Sequence, residues 1–139
     1  MIRVTRRYPF SAAHVLARPD WDAERNRETY GKCAHPGSHG HNYVLEVTVR
    51  GDLDPESGRV VPLAQLDAAV DEHVLRALDH RFLNREVEAF EKTVPTAENI
   101  ARYAWRALRG RVAPAELDRI RLVETPQNSV EYAGEGVEA

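Results

Sequence analysis

Lys32-Cys-Ala-His-Pro-Gly-Ser-His-Gly-His-Asn-Tyr-Val-Leu-Glu-Val-Thr-Val-Arg50 is the stretch whose reading decides the fold. From His41 to Arg50, apolar Tyr43, Leu45, Val47 and Val49 alternate with Asn42, Glu46, Thr48 and Arg50, the period of a strand buried on one face. The first half of the stretch holds the chain's one cysteine and three of its six histidines. His39 and His41 are two apart, so at the start of that strand they leave the backbone on the same face, as two imidazoles must to share a metal ion. A third ligand has to come from elsewhere. Cys33 lies six residues before His39 in a Gly- and Pro-rich segment, near enough to share the site and far enough to do a different job.

Working outward, residues 2–10 alternate through Ile2, Val4, Tyr8 and Phe10 and predict a half-buried strand ending near Ser11, with His14 just beyond it. Residues 17–40 carry many charges, Pro19, Gly31, Pro36, Gly37 and Gly40, and little periodicity, which predicts a long functional loop. Residues 52–58 form a turn. Leu63, Leu66, Val70, Val74 and Leu78 keep the spacing of an amphipathic helix with Pro62 in its first turn, and leave Asp79 and His80 at its mouth. After an irregular passage, Thr96 offers an N-cap and Glu98 a first-turn carboxylate for a helix buried through Ile100, Ala101, Ala104, Trp105 and Leu108 and stopped by Gly110. Strands over 119–125 and 129–133 follow, with a polar tail from Gly134. The order predicts an α+β fold: a four-stranded antiparallel sheet with two helices on one face, in one domain spanning 1–139. Four strands leave two open edges, which a neighbouring subunit is expected to cover.

At 139 residues the chain can bury roughly two thirds of its unfolded surface, so any metal is free to be functional rather than structural. One cysteine makes no internal disulfide and no charged-then-apolar leader precedes the first strand, so a reducing cytoplasm is expected. Apolar runs fall far short of a membrane span. The net charge of −3 is uneven: residues 1–50 hold eight Arg/Lys against five Asp/Glu, residues 51–139 eleven against seventeen. A positive first half carrying the histidines suits an anionic small molecule better than nucleic acid.

For His14, His39 and His41 the chemical reading is a zinc triad with an open fourth position, since neutral imidazoles suit zinc and catalytic sites keep three protein ligands; the plain one is surface or capping histidines, and His35 competes as a ligand. Cys33 reads as a buried hydrophobe, a fourth ligand that would close the site, or a reactive thiolate acting as base. Asp79-His80 reads as a carboxylate orienting an imidazole, or as an ordinary polar helix end. Glu124 shares the face of Ile120 and Leu122, so it is either a paired, ligand-binding acid or simply wet at the strand's end. His73 is expected to be solvated.

Together Phe10-Ser11-Ala12-Ala13-His14, Gly31-Lys32-Cys33, His39-Gly40-His41-Asn42-Tyr43, Leu78-Asp79-His80 with Asn84, Pro95-Thr96-Ala97-Glu98-Asn99 and Val123-Glu124-Thr125 resemble the 6-pyruvoyl-tetrahydropterin synthase family, which includes the 6-carboxy-tetrahydropterin synthases of queuosine biosynthesis. The resemblance implies the tunnelling fold (T-fold), in which trimers pair sheets into a twelve-stranded barrel and stack as hexamers with active sites between subunits. It implies a zinc-dependent lyase acting on 7,8-dihydroneopterin triphosphate, with zinc on His14, His39 and His41, Cys33 as base, Asp79 and His80 completing a relay, Glu124 anchoring the pterin, and Thr96 and Glu98 in the ring pocket. No nicotinamide is required, and no dinucleotide-binding glycine motif is present. Five residues between Cys33 and His39 resemble the 6-pyruvoyl-forming members of tetrahydrobiopterin biosynthesis; the alternatives are the 6-carboxy product and, outside enzymes, a zinc-stabilised pterin-binding module. Arg25, Arg27 and Lys32 are candidates for the triphosphate.

Overall fold

The computed structural model describes residues 1–135; residues 136–139, most of the polar tail, lie outside the described residues. Two long strands, β1 (Ile2–His14) and β2 (His39–Gly51), pair antiparallel over their whole length, from Ile2 opposite Gly51 to His14 opposite His39. On the other side of β2 lies β4 (Glu116–Thr125), followed by β5 (Asn128–Tyr132). The fold is α+β, as the alternation predicts.

Three expectations need correction. Among the described residues the sheet has five strands rather than four, in the order β3-β1-β2-β4-β5, because β3 (Arg81–Phe82) runs parallel beside Ala12 and Ala13. Two residues are too few to show a period. The first strand runs on through Ser11 to His14 across Pro9, which is tolerated because among the described residues no second neighbour pairs with β1 until Ala12. The long loop contains α1 (Ala23–Tyr30), whose cap Asp22 accepts from the Arg25 amide at 2.7 Å. Only Asn26 of α1 is buried, so no apolar stripe announces it.

The helix expected over 63–78 is present as α2 (Leu63–Val70), a π turn (Asp71–Leu75) and α3 (Arg76–Leu78), with Leu66, Val70, Val74 and Leu78 buried as their spacing predicts. A short α4 (Leu83–Glu86) leads on, and α5 (Ala97–Leu108) is capped by the Thr96 hydroxyl accepting from Asn99 N at 3.2 Å. These helices cover the sheet face that carries Tyr8, Phe10, Tyr43, Leu45, Val47, Ile120 and Leu122. Arg6 also points to that side, where Asp67 of α2 holds it at 2.7 Å and accepts from the Tyr8 hydroxyl at 2.6 Å.

The opposite face is a lattice of charges. Glu46 binds Arg121 at 2.9 Å and Arg7 at 3.4 Å, Asp118 binds Arg3 and Arg119, each at 3.1 Å, and Thr5 and Thr48 share a 2.7 Å bond. Stability should therefore divide by face. Leu45→Ala, fully buried under the helices, is expected to cost about 2–5 kcal/mol, and Arg119→Ala on the charged face about 1 kcal/mol or less. Denaturant titration of both variants checks this, and equal losses would overturn the assignment of the packed face.

Candidate active site

The antiparallel register sets the site. His14 closes β1 opposite His39, and His41, opposite Ala12, is next on the same face of β2. One ligand atom from each of the three rings lies within 4.8 Å of the others, and the His14 and His39 Nε2 atoms are 2.9 Å apart. His14 is fully buried while His39 and His41 are partly exposed, so the cluster has a closed back and an open front.

The orientation of His14 comes from outside the strands. Its Nδ1 lies 2.7 Å from the Pro95 carbonyl, an acceptor only, so Nδ1 carries the proton and Nε2 turns its lone pair towards His39. A metal-binding histidine uses this arrangement, with its second nitrogen donating to a carbonyl. Tyr43 lies behind the cluster, stacked on Phe10 at 4.9 Å, edge-on to His41 at 5.4 Å and with its hydroxyl 3.4 Å from His14 Nδ1. Burial, then the charges of Glu124 and Cys33, push the Tyr43 phenol upward. Burial pushes the His14 imidazole down to about 4, against the opposing pull of its bond to Pro95. His39 is lowered too, by burial and then by His41. Both shifts favour the neutral form of His14 and His39, the form in which an imidazole ligates zinc.

Glu124 is neither wet nor remote: its side chain is 16% exposed and its Oε2 lies 3.9 Å from His14 Nε2. Asn128 donates to its other oxygen at 3.1 Å. Cys33 is half-buried in a 3-10 turn (Gly31–Ala34), whose position is fixed by Leu16 N donating to the Cys33 carbonyl at 2.8 Å. Asn84 pins the exit from β1 by two bonds to the Val15 backbone, at 2.8 and 2.9 Å. Tyr43, Asn84 and the Pro95 carbonyl are positioning groups that sequence reasoning did not assign. Tyr43 reads there only as core, and a carbonyl carries no sequence signal.

Asp79 and His80 form their own pair. Asp79 Oδ1 accepts from Ser11 N at 2.9 Å and lies 2.9 Å from His80 Nδ1. His80 has a φ of 60° and its side chain is 82% exposed. No hydrogen bond joins it to Cys33 among the described residues. Thr96 serves as the α5 cap, Glu98 is exposed in the first turn, and His35 accepts from Gly37 N at 3.0 Å, away from the triad's bonds.

The model of the 6-pyruvoyl tetrahydropterin synthase family matches residues 3–135. The chain belongs to that family. It is 41% identical over 133 residues to the 6-pyruvoyl tetrahydrobiopterin synthase of Pongo abelii, covering 96% of this chain and 92% of that one. A solved 6-pyruvoyl tetrahydropterin synthase from Caenorhabditis elegans superposes with a TM-score of 0.91 at 41% identity, covering 96% of each chain. The 6-carboxy-5,6,7,8-tetrahydropterin synthase of Haemophilus influenzae is 27% identical over 95% of this chain and 99% of that one.

Within the family's fold, the buried His14 makes the metal-free protein sensitive to acid. Its value in the fold lies below its usual 6.5, so as pH falls from about 6.5 towards 4 the unfolded chain takes up a proton that the fold excludes. Stability of chelator-treated protein is expected to fall across that window, and His14→Asn should flatten the dependence. Urea midpoints measured against pH check this, and an unchanged slope in the variant would overturn it.

Proposed function

We propose that this chain is a zinc-dependent carbon-oxygen lyase that converts 7,8-dihydroneopterin triphosphate to 6-pyruvoyl-tetrahydropterin with loss of triphosphate. The observation that carries the reading is the convergence of three imidazoles at one end of the β1–β2 pair with the Glu124 carboxylate beside them. His14, His39 and His41 would hold the metal. Bound zinc would supply Lewis-acid polarisation of the substrate's side-chain hydroxyls, acidifying the neighbouring carbon-bound proton.

The chain's own groups do the rest. Glu124 accepts parallel hydrogen bonds from a ring nitrogen and the amino group of the pterin, a bidentate contact that fixes the ring. Thr96 and Glu98, at the start of α5, border the ring pocket. Cys33 Sγ removes the carbon-bound proton. Asp79 holds His80 by its Nδ1, which leaves Nε2 to exchange a proton with a thiol. Because His80 points into solvent within its own chain, the relay to Cys33 is completed by His80 of a neighbouring copy. That arrangement also uses the open edges: among the described residues β1 has no outer partner from Ile2 to Ser11, and β5 has none beyond β4. Trimers closing these edges into a barrel, stacked as hexamers, account for both. Residues 1–139 act as one unit in this assembly, and a cytoplasmic setting keeps Cys33 reduced.

The five-residue spacing from Cys33 to His39 and the higher identity to 6-pyruvoyl synthases favour the 6-pyruvoyl product. The full-length likeness to a 6-carboxy synthase keeps 6-carboxy-tetrahydropterin as the second reading. The two differ by a two-carbon fragment, so mass analysis after incubation with the triphosphate decides between them. A zinc-stabilised binding module would bind the pterin and release no triphosphate.

Purified protein is expected to carry about one zinc per chain, and His41→Ala to lose both metal and turnover with the fold retained. Cys33→Ala should keep zinc and pterin binding and lose ~10²- to 10⁴-fold in rate. Loss of zinc in that variant would make Cys33 a ligand instead. Light scattering should give a trimer or hexamer, and a stable monomer at micromolar concentration would sink the shared site.

A further inference from the structure

Between Asn99 and Ala115 the chain carries four arginines and no acidic residue, although residues 51–139 as a whole are net acidic. Arginines late in a helix suit its dipole, which explains their tolerance. It does not explain where their side chains go. Arg102, Tyr103 and Arg106 of α5, Arg111 beyond its end, His73 of the π turn and Asn99 line one cavity of about 490 Å³, and none of its lining residues is acidic. A π turn is rare and often marks a functional place; this one packs against α5 and carries His73 to the cavity. His73 was expected to be solvated. It is instead partly buried, with Nδ1 3.2 Å from Arg111 Nη1.

Arginine only donates, so His73 Nδ1 is the acceptor in this contact. Arg111's other bond goes to the Ala107 carbonyl at 3.3 Å, which leaves its charge uncompensated by these partners. Arg102 is paired with Glu135 at 3.2 Å, yet its Nε is buried without a hydrogen-bond partner among the described residues. Glu135 also lies near Arg106, and Glu72 is 3.8 Å from His73 Nε2. Among the described residues, three guanidinium groups thus face one concavity with the carboxylate of Glu135 on their side. Forks of this kind match phosphoryl oxygens. Arg106 is about 15 Å along α5 from the Thr96 cap, and the cavity shares no lining residue with the histidine cluster.

We propose that this cavity is a second anion site that takes a di- or triphosphate group, separate from the histidine site. Phe90 and Tyr103, with ring centroids 5.6 Å apart, form an aromatic wall beside the arginines, so the phosphates could belong to an inorganic chain or to a nucleotide. The chemistry recognised is the same in both cases.

The test titrates the zinc-loaded, full-length protein by calorimetry with inorganic tripolyphosphate and, in a second arm, with a nucleoside triphosphate. Tripolyphosphate is also the leaving group of the proposed reaction, so location has to be read independently. Phenylglyoxal modification followed by peptide mapping is expected to show Arg106 and Arg111 protected by the ligand in wild-type protein. Arg106→Ala/Arg111→Ala should weaken this binding by about tenfold or more, and His41→Ala should leave it in place. Tighter binding of the nucleotide assigns a nucleotide site; equal binding assigns an inorganic one. No protection of these arginines at millimolar ligand, or equal affinity in the double variant, overturns the proposal and leaves the lyase reading untouched. Loss of turnover in wild type with protection retained would do the reverse.

Discussion

The bond from His14 Nδ1 to the Pro95 carbonyl, 2.7 Å long, is the contact on which the site depends. It spans 81 residues of sequence, tying the end of the first strand to the residue before the α5 cap. A fully buried imidazole without such a partner would lose a desolvated donor's worth of free energy, about 1–3 kcal/mol. With the partner in place the ring can be buried, its tautomer is fixed, and its second nitrogen is aimed at His39. The same bond holds the Thr96 cap next to the cluster. Helix packing and ligand geometry are therefore set by one constraint.

The sheet separates two kinds of interaction. On the helix side, Leu45, Val47, Ile120 and Leu122 have no exposure, and burial of apolar area supplies the driving force. On the far side, Glu46 and Asp118 are each shared by arginines from different strands. Such pairs add little to stability singly. They do fix register, because a slip by one residue would bring these acids to the helix side and apolar side chains to the charged one.

Much of this was legible in sequence. The period of two through Tyr43, Leu45, Val47 and Val49 gave β2, the three-and-four spacing gave the two major helices, and the short motifs gave the family. The grouping of His14 with His39 and His41 was legible as a candidate, but the register that sets His14 directly opposite His39 was not, because it depends on the whole length of two strands and not on the loop between them. Glu124 was ambiguous for a related reason: its place follows from the bulge between Val123 and Thr125, and a bulge has no residue signature here. The polar helix α1 was hidden because nothing apolar lines it. His73 was misjudged because it lies within the π turn and beside Arg111, a contact from beyond the end of α5 that the helical spacing of 63–78 does not show.

The separation in sequence of the strands that build the site has a kinetic meaning. β1 meets β2 across a 24-residue connection, and β2 meets β4 only after α2 to α5 and the short β3 have been laid between them. Contacts this distant must overcome loop-closure entropy before they return any stability, and chains of this kind fold slowly. The three histidines need only the first pairing, whereas Glu124 arrives with the last. A partly folded chain with β1 and β2 joined would bring the three imidazoles together without their carboxylate neighbour, and any cation held there at that stage would favour the strand register that the finished site requires.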